Sequence, residues 1–450
     1  MPTSEPTAVL SRHVSAAAGA PLPDDVRTKA ADHLLDTLAA MLSGALLRPG
    51  ATALAYVRAH PGHPEATVAG TDVRTSAADA AFAGGVLAHS DESDDSHPLA
   101  FNHPGCGVVP AALAMAERTG AGGARLLRAV VTGYEVAARI GLALDGHALH
   151  RERHFSSHAM GSLFGATAAS AVLAGLDEEA TRTAFAYAAQ QASGLACWTR
   201  DPDHVEKAFD FGGKGARDGV TSVLLAEAGF TGVPDVFTCP DGFFAAFGGD
   251  PSALTTGLGA SYEIMRTDIK KWCVGSPIQA PLDAVELLLA DGLPEAADIA
   301  AIEVRVSAQE AHIVDNRAIP TICLQHQVAL LLTDGGLTFT TCHDTTRMTD
   351  PKIRALRARI TLTPDESLPV RQGRVAITDT TGSSHECHVP HVRGTTANPM
   401  TQAELATKAI DLSTPLLGEA HAADLVHRVR TIEESGNISE LLTILTKRNA

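Results

Sequence analysis

Aromatic residues are scarce, 4% of 450 residues, so large rings cannot dominate the core. With 45% hydrophobic content and many Ala and Gly, small side chains let backbones approach closely, and a helix-rich protein is expected. Cysteine is sparse and unpatterned. Its seven copies never form CxxC, which excludes a zinc ribbon and a disulfide framework and fits a reducing compartment. No run of about 18 apolar residues occurs, and MPTSEPTAVL has no basic segment followed by an apolar one. Neither a membrane span nor an export signal is therefore expected, and the expected location is cytoplasmic. Basic residues are also in deficit: 35 Lys and Arg against 52 Asp and Glu give a net charge of -17 without any long basic run. That argues against a nucleic-acid partner, whereas a small anion can still bind where a few cations converge.

At 450 residues the chain exceeds what one core usually serves, so two domains are expected. An amphipathic helix starts at Asp24, with Val26, Ala30, Leu34, Leu38 and Leu42 on one stripe; Gly44 and Pro49 should end it. Ala-rich helical stretches follow at 109–117, 123–144, 163–173, 179–191 and 215–228. Near residue 298 the texture changes. Ile302, Val304 and Val306 alternate with polar residues, and 359–362 and 375–378 read as strands too. A smaller α+β unit begins about there and closes near Gly394; Thr401-Gln402-Ala403-Glu404 then reads as a capping box opening further helices.

The densest polar cluster runs from His89 to His103 and holds four acids and three histidines. Crowded carboxylates raise one another's pKa, and imidazole exchanges protons near neutral pH, so the cluster suits acid/base chemistry. The alternative is a solvated acidic turn ending in a helix cap. A metal site is a further reading, but the acids at 91, 92, 94 and 95 follow neither EF-hand nor HExxH spacing, and no metal is expected. Cys106, at the start of an apolar helix, reads as a buried thiol rather than a nucleophile.

The segment HSDESDDSHPLAFNHPGCGVVPAALA resembles the early motif of the MmgE/PrpD family, which includes 2-methylcitrate dehydratase, cis-aconitate decarboxylase and iminodisuccinate epimerase. HVEKAFDFGGKGARDG, LLAEAGFTG, IKKWCVGSPIQAPLDA, LQHQVALLLTDG, HDTTRMTDPKI and NPMTQAELATK follow in the family's order, covering nearly the whole chain. The resemblance implies a mainly α fold: a large all-helical domain from 1–267 and 395–450, with a smaller α+β domain, 268–394, inserted. It also implies a cleft between domains, no organic cofactor or metal, and a homodimer.

Residue by residue, the resemblance implies His103 as first choice for acid/base catalyst, a helix-positioning role being the alternative, with Asp94 in the family's Asp-Asp-Thr position and Ser96 as its third member. Asp91 or Glu92 fills the preceding acidic column. Lys207 and Lys270 match lysines able to pair substrate carboxylates and stabilise an enediolate. Ser156 falls where relatives carry a histidine, with His154 and His158 flanking it; a short register shift gives that role to His158, a structural histidine at the helix start being the alternative. Gly275 and Gln279 stand where dehydratase and decarboxylase members have histidines, and His326 replaces a tyrosine, which suggests a divergent branch.

The expected function is a lyase acting on a small di- or tricarboxylate by proton abstraction next to a carboxylate, in dehydration or decarboxylation. An epimerase or isomerase of an iminodisuccinate-like substrate and a non-catalytic carboxylate-binding homologue are the alternatives.

Overall fold

The computed structural model describes residues 5–446. Its contacts divide the chain into two units: one comprises the residues up to Ser90, Asp94–Asp268 and those from Leu405 onward, the other Asp91–Ser93 and Ile269–Glu404. The architecture is mainly helical with a smaller α+β part, in agreement with the composition and strand pattern.

In the first unit, helix Asp24–Gly44 buries the expected stripe of Val26, Ala30, Leu34, Leu38 and Leu42. Pro49 does not terminate it. It sits in the first turn of the next helix, Arg48–Ala59, where a missing N–H costs nothing. Helices Pro104–Thr119, Gly123–Ala143, Ser157–Ala174 and Lys214–Glu227 then pack with little space between backbones. A Cβ on Gly133 would lie 2.4 Å from a Val108 methyl, and one on Gly107 would lie 2.5 Å from the Ser162 Cβ, so these crossings require glycine. Among the described residues, no single helix is long and apolar enough to cross a membrane. A two-residue ladder pairs β1 (Ala66–Thr67) with β2 (Arg74–Thr75).

The second unit is built on a four-stranded sheet formed by β3 (Ile299–Ser307), β4 (Ile360–Asp365), β5 (Gly373–Asp379) and β6 (Ser384–Val389), in the order β4-β3-β5-β6. β3 runs parallel to β4 and antiparallel to β5, with Val304 opposite both Leu362 and Val375. Ile302, Val304, Val306, Val375 and Ile377 join a buried core with helices Ser276–Ala290 and Leu324–Asp334. β6 is not visible in the hydropathy pattern, because Ser-His-Glu-Cys-His-Val contributes only Cys387 and Val389 to that core. The expected capping box is present: the Glu404 N–H donates to Thr401 Oγ1 (3.3 Å) and the Thr401 N–H to Glu404 Oε2 (2.7 Å).

Candidate active site

In the first unit, helix Ala77–Ala88 ends at His89, and helix Pro104–Thr119 begins after His103. Between them lies Asp94, fully buried, whose Oδ2 is 2.8 Å from His89 Nδ1 and 3.2 Å from His103 Nδ1. One carboxylate oxygen thus serves two imidazoles. His103 precedes its helix without capping it through its side chain, so its ring is committed to Asp94. The cap comes from Asp95, whose Oδ1 accepts the Gly105 N–H (3.0 Å). Asp95 Oδ2 receives the Tyr134 hydroxyl (2.5 Å) and lies 2.7 Å from His33 Nδ1. Burial alone would raise the Asp95 pKa, but hydrogen bonds from His33 and Tyr134 outweigh it and hold the carboxyl below its usual value.

Helix Ser157–Ala174 brings His158 to the same place in its first turn, with Ser156 as N-cap. Lys207 and Phe211 come from the short helix Val205–Ala208 and the π-helical turn Phe209–Gly213 that follows it. Gly212 and Gly85 make that turn possible, since a Cβ on Gly212 would lie 2.2 Å from the Gly85 carbonyl oxygen. The Phe211 ring stacks on His158 (3.8 Å between centroids) and on His89 (4.2 Å), and His103 lies 5.3 Å from both Phe211 and His158. The Lys207 ammonium is 5.1 Å from the centre of Phe211 and 5.6 Å from that of Trp198. Burial pushes the His158 pKa well below its ordinary value, assisted by His103, His150, His89 and the Lys207 charge, so this imidazole is neutral. Phe101 and His204, which border these rings, have φ of 51° and 66°, sparsely populated for such residues.

Beside this cluster, Ser156 Oγ donates to Asp210 Oδ2. Burial raises the Asp210 pKa to about 7, against the opposing pull of the Ser156 hydrogen bond and the Lys214 charge.

The second unit holds the remaining candidates. Asp91 accepts the Ser93 N–H (2.8 Å) and hydroxyl (2.6 Å), and its other oxygen lies 3.3 Å from His343 Nε2. Burial would raise the Asp91 pKa, yet His343 and Ser93 hold it below the usual value. Lys270 Nζ donates to the Glu92 carbonyl (3.0 Å) and lies 3.8 Å from the Glu92 carboxylate. Gln279 uses its amide on the main chain of Trp272 and Val274, bracing its own loop. His326 is fully buried, and burial, with Arg357 and Arg347 nearby, pushes its pKa down to about 4. Ser96, back in the first unit, exchanges backbone hydrogen bonds with Asp268 (2.9 and 2.8 Å).

His103, Asp94, His158 and Lys207 are therefore brought together. His89, Phe211, Trp198, His33 and Tyr134 join them without having been singled out. His89 could have been found as the head of the acidic motif and Phe211 beside Lys207; Tyr134 lies mid-helix with no local signal. His89, Asp94 and Cys106 also present a nitrogen, an oxygen and a sulfur within 4.8 Å of one another, the geometry of a partial metal site. Burial, with Asp94 and Asp95 next, pushes the Cys106 thiol pKa well up, and the thiol donates to the carbonyls of His103 and Phe211.

The chain matches known proteins over most of its length. Residues 8–254 match the MmgE/PrpD N-terminal domain and residues 272–433 the MmgE/PrpD C-terminal domain. The chain is 25% identical over 448 residues to cis-aconitate decarboxylase of Homo sapiens, covering 94% of this chain and 91% of that protein. It is 30% identical over 306 residues to the cis-aconitate decarboxylase-like protein oryM of Aspergillus oryzae, covering 64% of this chain; the match spans only 62% of that relative's length. With both domain models matched in order across most of its length, the chain belongs to the MmgE/PrpD family.

Proposed function

We propose that this protein is a lyase that acts on a small polycarboxylate, with His103 as proton-transfer group. The observation that carries this reading is the shared Asp94 oxygen. An ionised Asp94 accepting Nδ1–H from both His89 and His103 leaves each Nε2 as a lone-pair base. Of the two, His103 is partly open, its side chain 11% exposed, whereas His89 is fully enclosed; His103 is thus the one a substrate can reach.

In a dehydration, His103 Nε2 takes the proton next to a carboxylate, the electrons form the new double bond, and hydroxide leaves with a proton from an acid. In a decarboxylation, His103 Nε2 first takes up a proton from solvent; carbon dioxide then leaves and the His103 imidazolium delivers that proton to the resulting carbanion. Either way negative charge accumulates on the remaining carboxylate, where the Lys207 ammonium stabilises it in low-dielectric surroundings. Neutral His158 supplies a hydrogen bond without adding a charge that would repel protonated His103. The cis-aconitate decarboxylase named among the relatives supports cis-aconitate as the first substrate to try.

An epimerase is the second reading, favoured by two imidazoles, His103 and His158, with ring centres 5.3 Å apart. Incubation with cis-aconitate, 2-methylcitrate and iminodisuccinate in deuterium oxide, followed by NMR, separates the two. A lyase changes alkene or carbon dioxide content; an epimerase incorporates deuterium with inversion. Absence of both changes with all three acids would sink the catalytic reading.

A further inference from the structure

The cluster around Phe211 contains ring nitrogens that no protein group satisfies: Nε1 of Trp198, Nδ1 of His150 and Nδ1 of His158 are all shielded from solvent and have no hydrogen-bond partner. Trp198 lies 5.5 Å from His150, 5.7 Å from His158 and 4.7 Å from Phe211, ring centre to ring centre. These orphaned atoms therefore share one neighbourhood, beside the Lys207 ammonium. A buried indole N–H can only donate, so leaving it without an acceptor is unfavourable unless a ligand completes it.

The loop that carries Trp198 is braced rather than loose. The Asp201 N–H donates to the Trp198 carbonyl (2.9 Å), Asp201 Oδ2 accepts the Lys207 N–H (2.9 Å), and the Cys197 thiol reaches Glu206 (3.4 Å). One set of hydrogen bonds therefore ties together the segments that carry the indole and the ammonium. His158 is in ring contact with both Trp198 and His103, which puts the indole at the end of the cluster away from the Asp94 pair.

We infer that Trp198 is a specificity-determining residue whose indole N–H donates to a substrate carboxylate other than the one on which Lys207 stabilises the developing charge. This rests on the polycarboxylate reading and deepens it: the preferred substrate carries an additional carboxylate beyond those attached to the reacting centre. An N–H donated to a carboxylate is a charge-assisted bond, and its loss should weaken binding roughly 10- to 100-fold.

The test compares cis-aconitate with trans-glutaconate, in which a hydrogen replaces the carboxylate on the central carbon and the reacting carboxymethyl arm is kept. Trp198→Phe keeps the ring and removes only the donor. It should raise KM and Kd for cis-aconitate roughly 10- to 100-fold, leave kcat within about twofold, and leave the Kd of trans-glutaconate unchanged. In wild-type protein with ¹⁵N-labelled tryptophan, the two tryptophans give two indole N–H peaks. That of Trp198, identified by its loss in the variant, should move on adding cis-aconitate and stay put with trans-glutaconate. Unchanged cis-aconitate affinity, equal weakening of both ligands, or a shift confined to Trp272 overturns the assignment. Wild-type protein that binds neither acid overturns the polycarboxylate reading itself, and this inference with it.

Discussion

Asp94 and Asp95 are neighbours in sequence that serve opposite sides of one loop: Asp94 holds the imidazoles of His89 and His103, while Asp95 caps the helix that begins after His103. One acid sets the state of the proposed base and the other fixes where its backbone starts. The two can be separated experimentally.

Replacing His103 by Ala should lower kcat by about 10²- to 10⁴-fold, the usual range for a positioned acid/base group, with a much smaller change in KM. Steady-state kinetics with the substrate identified by NMR checks this. Equal, small changes in both constants would mean that proton transfer occurs elsewhere.

Asp94→Asn replaces an acceptor by a group that also donates, so the two Nδ1–H donors lose their shared partner and the His103 tautomer is no longer fixed. We expect kcat to fall on the order of 100-fold while circular dichroism stays native-like. A variant with full activity would remove Asp94 from the mechanism.

Gly105→Ala should destabilise the fold and the site together. The added Cβ would lie 2.6 Å from Thr37 Oγ1, 2.7 Å from the Tyr134 hydroxyl and 2.9 Å from Asp95 Oδ1. Overpacking of this kind costs about 1–3 kcal/mol. Tyr134→Phe adds no atoms but removes a donor to buried Asp95, for a loss of about 1.5–3 kcal/mol. Urea unfolding measures both.

Asp210 predicts a pH dependence of stability. Its pKa is raised to about 7, so between its ordinary value of 3.8 and about 7 the folded state holds a proton that the unfolded state has released. Its contribution is fully present below 3.8, declines as pH rises across that window, and levels off above about 7. Asp210→Asn should therefore gain melting temperature over wild type progressively from pH 4 to 7 and hold a constant gain above. An advantage independent of pH would contradict this assignment.

Lys408 and Asp36 form a buried ion pair, Nζ to Oδ1 2.6 Å. Lys408→Met would leave the carboxylate uncompensated and should cost about 3–5 kcal/mol at neutral pH. Burial already raises the Asp36 pKa, so protonation at acidic pH should recover part of this loss.

The pattern of the chain itself determined the helical character, the strands at 299–307, 360–365 and 373–379, and the acidic motif, because each is written in local periodicity or composition. His103, Asp94 and Lys207 were legible through ordered motifs. Between Ser156 and His158 the linear alignment could not choose; in the fold Ser156 caps the helix and His158 stacks on Phe211. Tyr134, His33 and Trp198 carry no local signature, and Gln279 became a brace for its own loop. Their partners lie far along the chain or on the main chain, and side-chain direction depends on which helices cross at the glycines. That is a property of packing in three dimensions, and only the folded structure decides it.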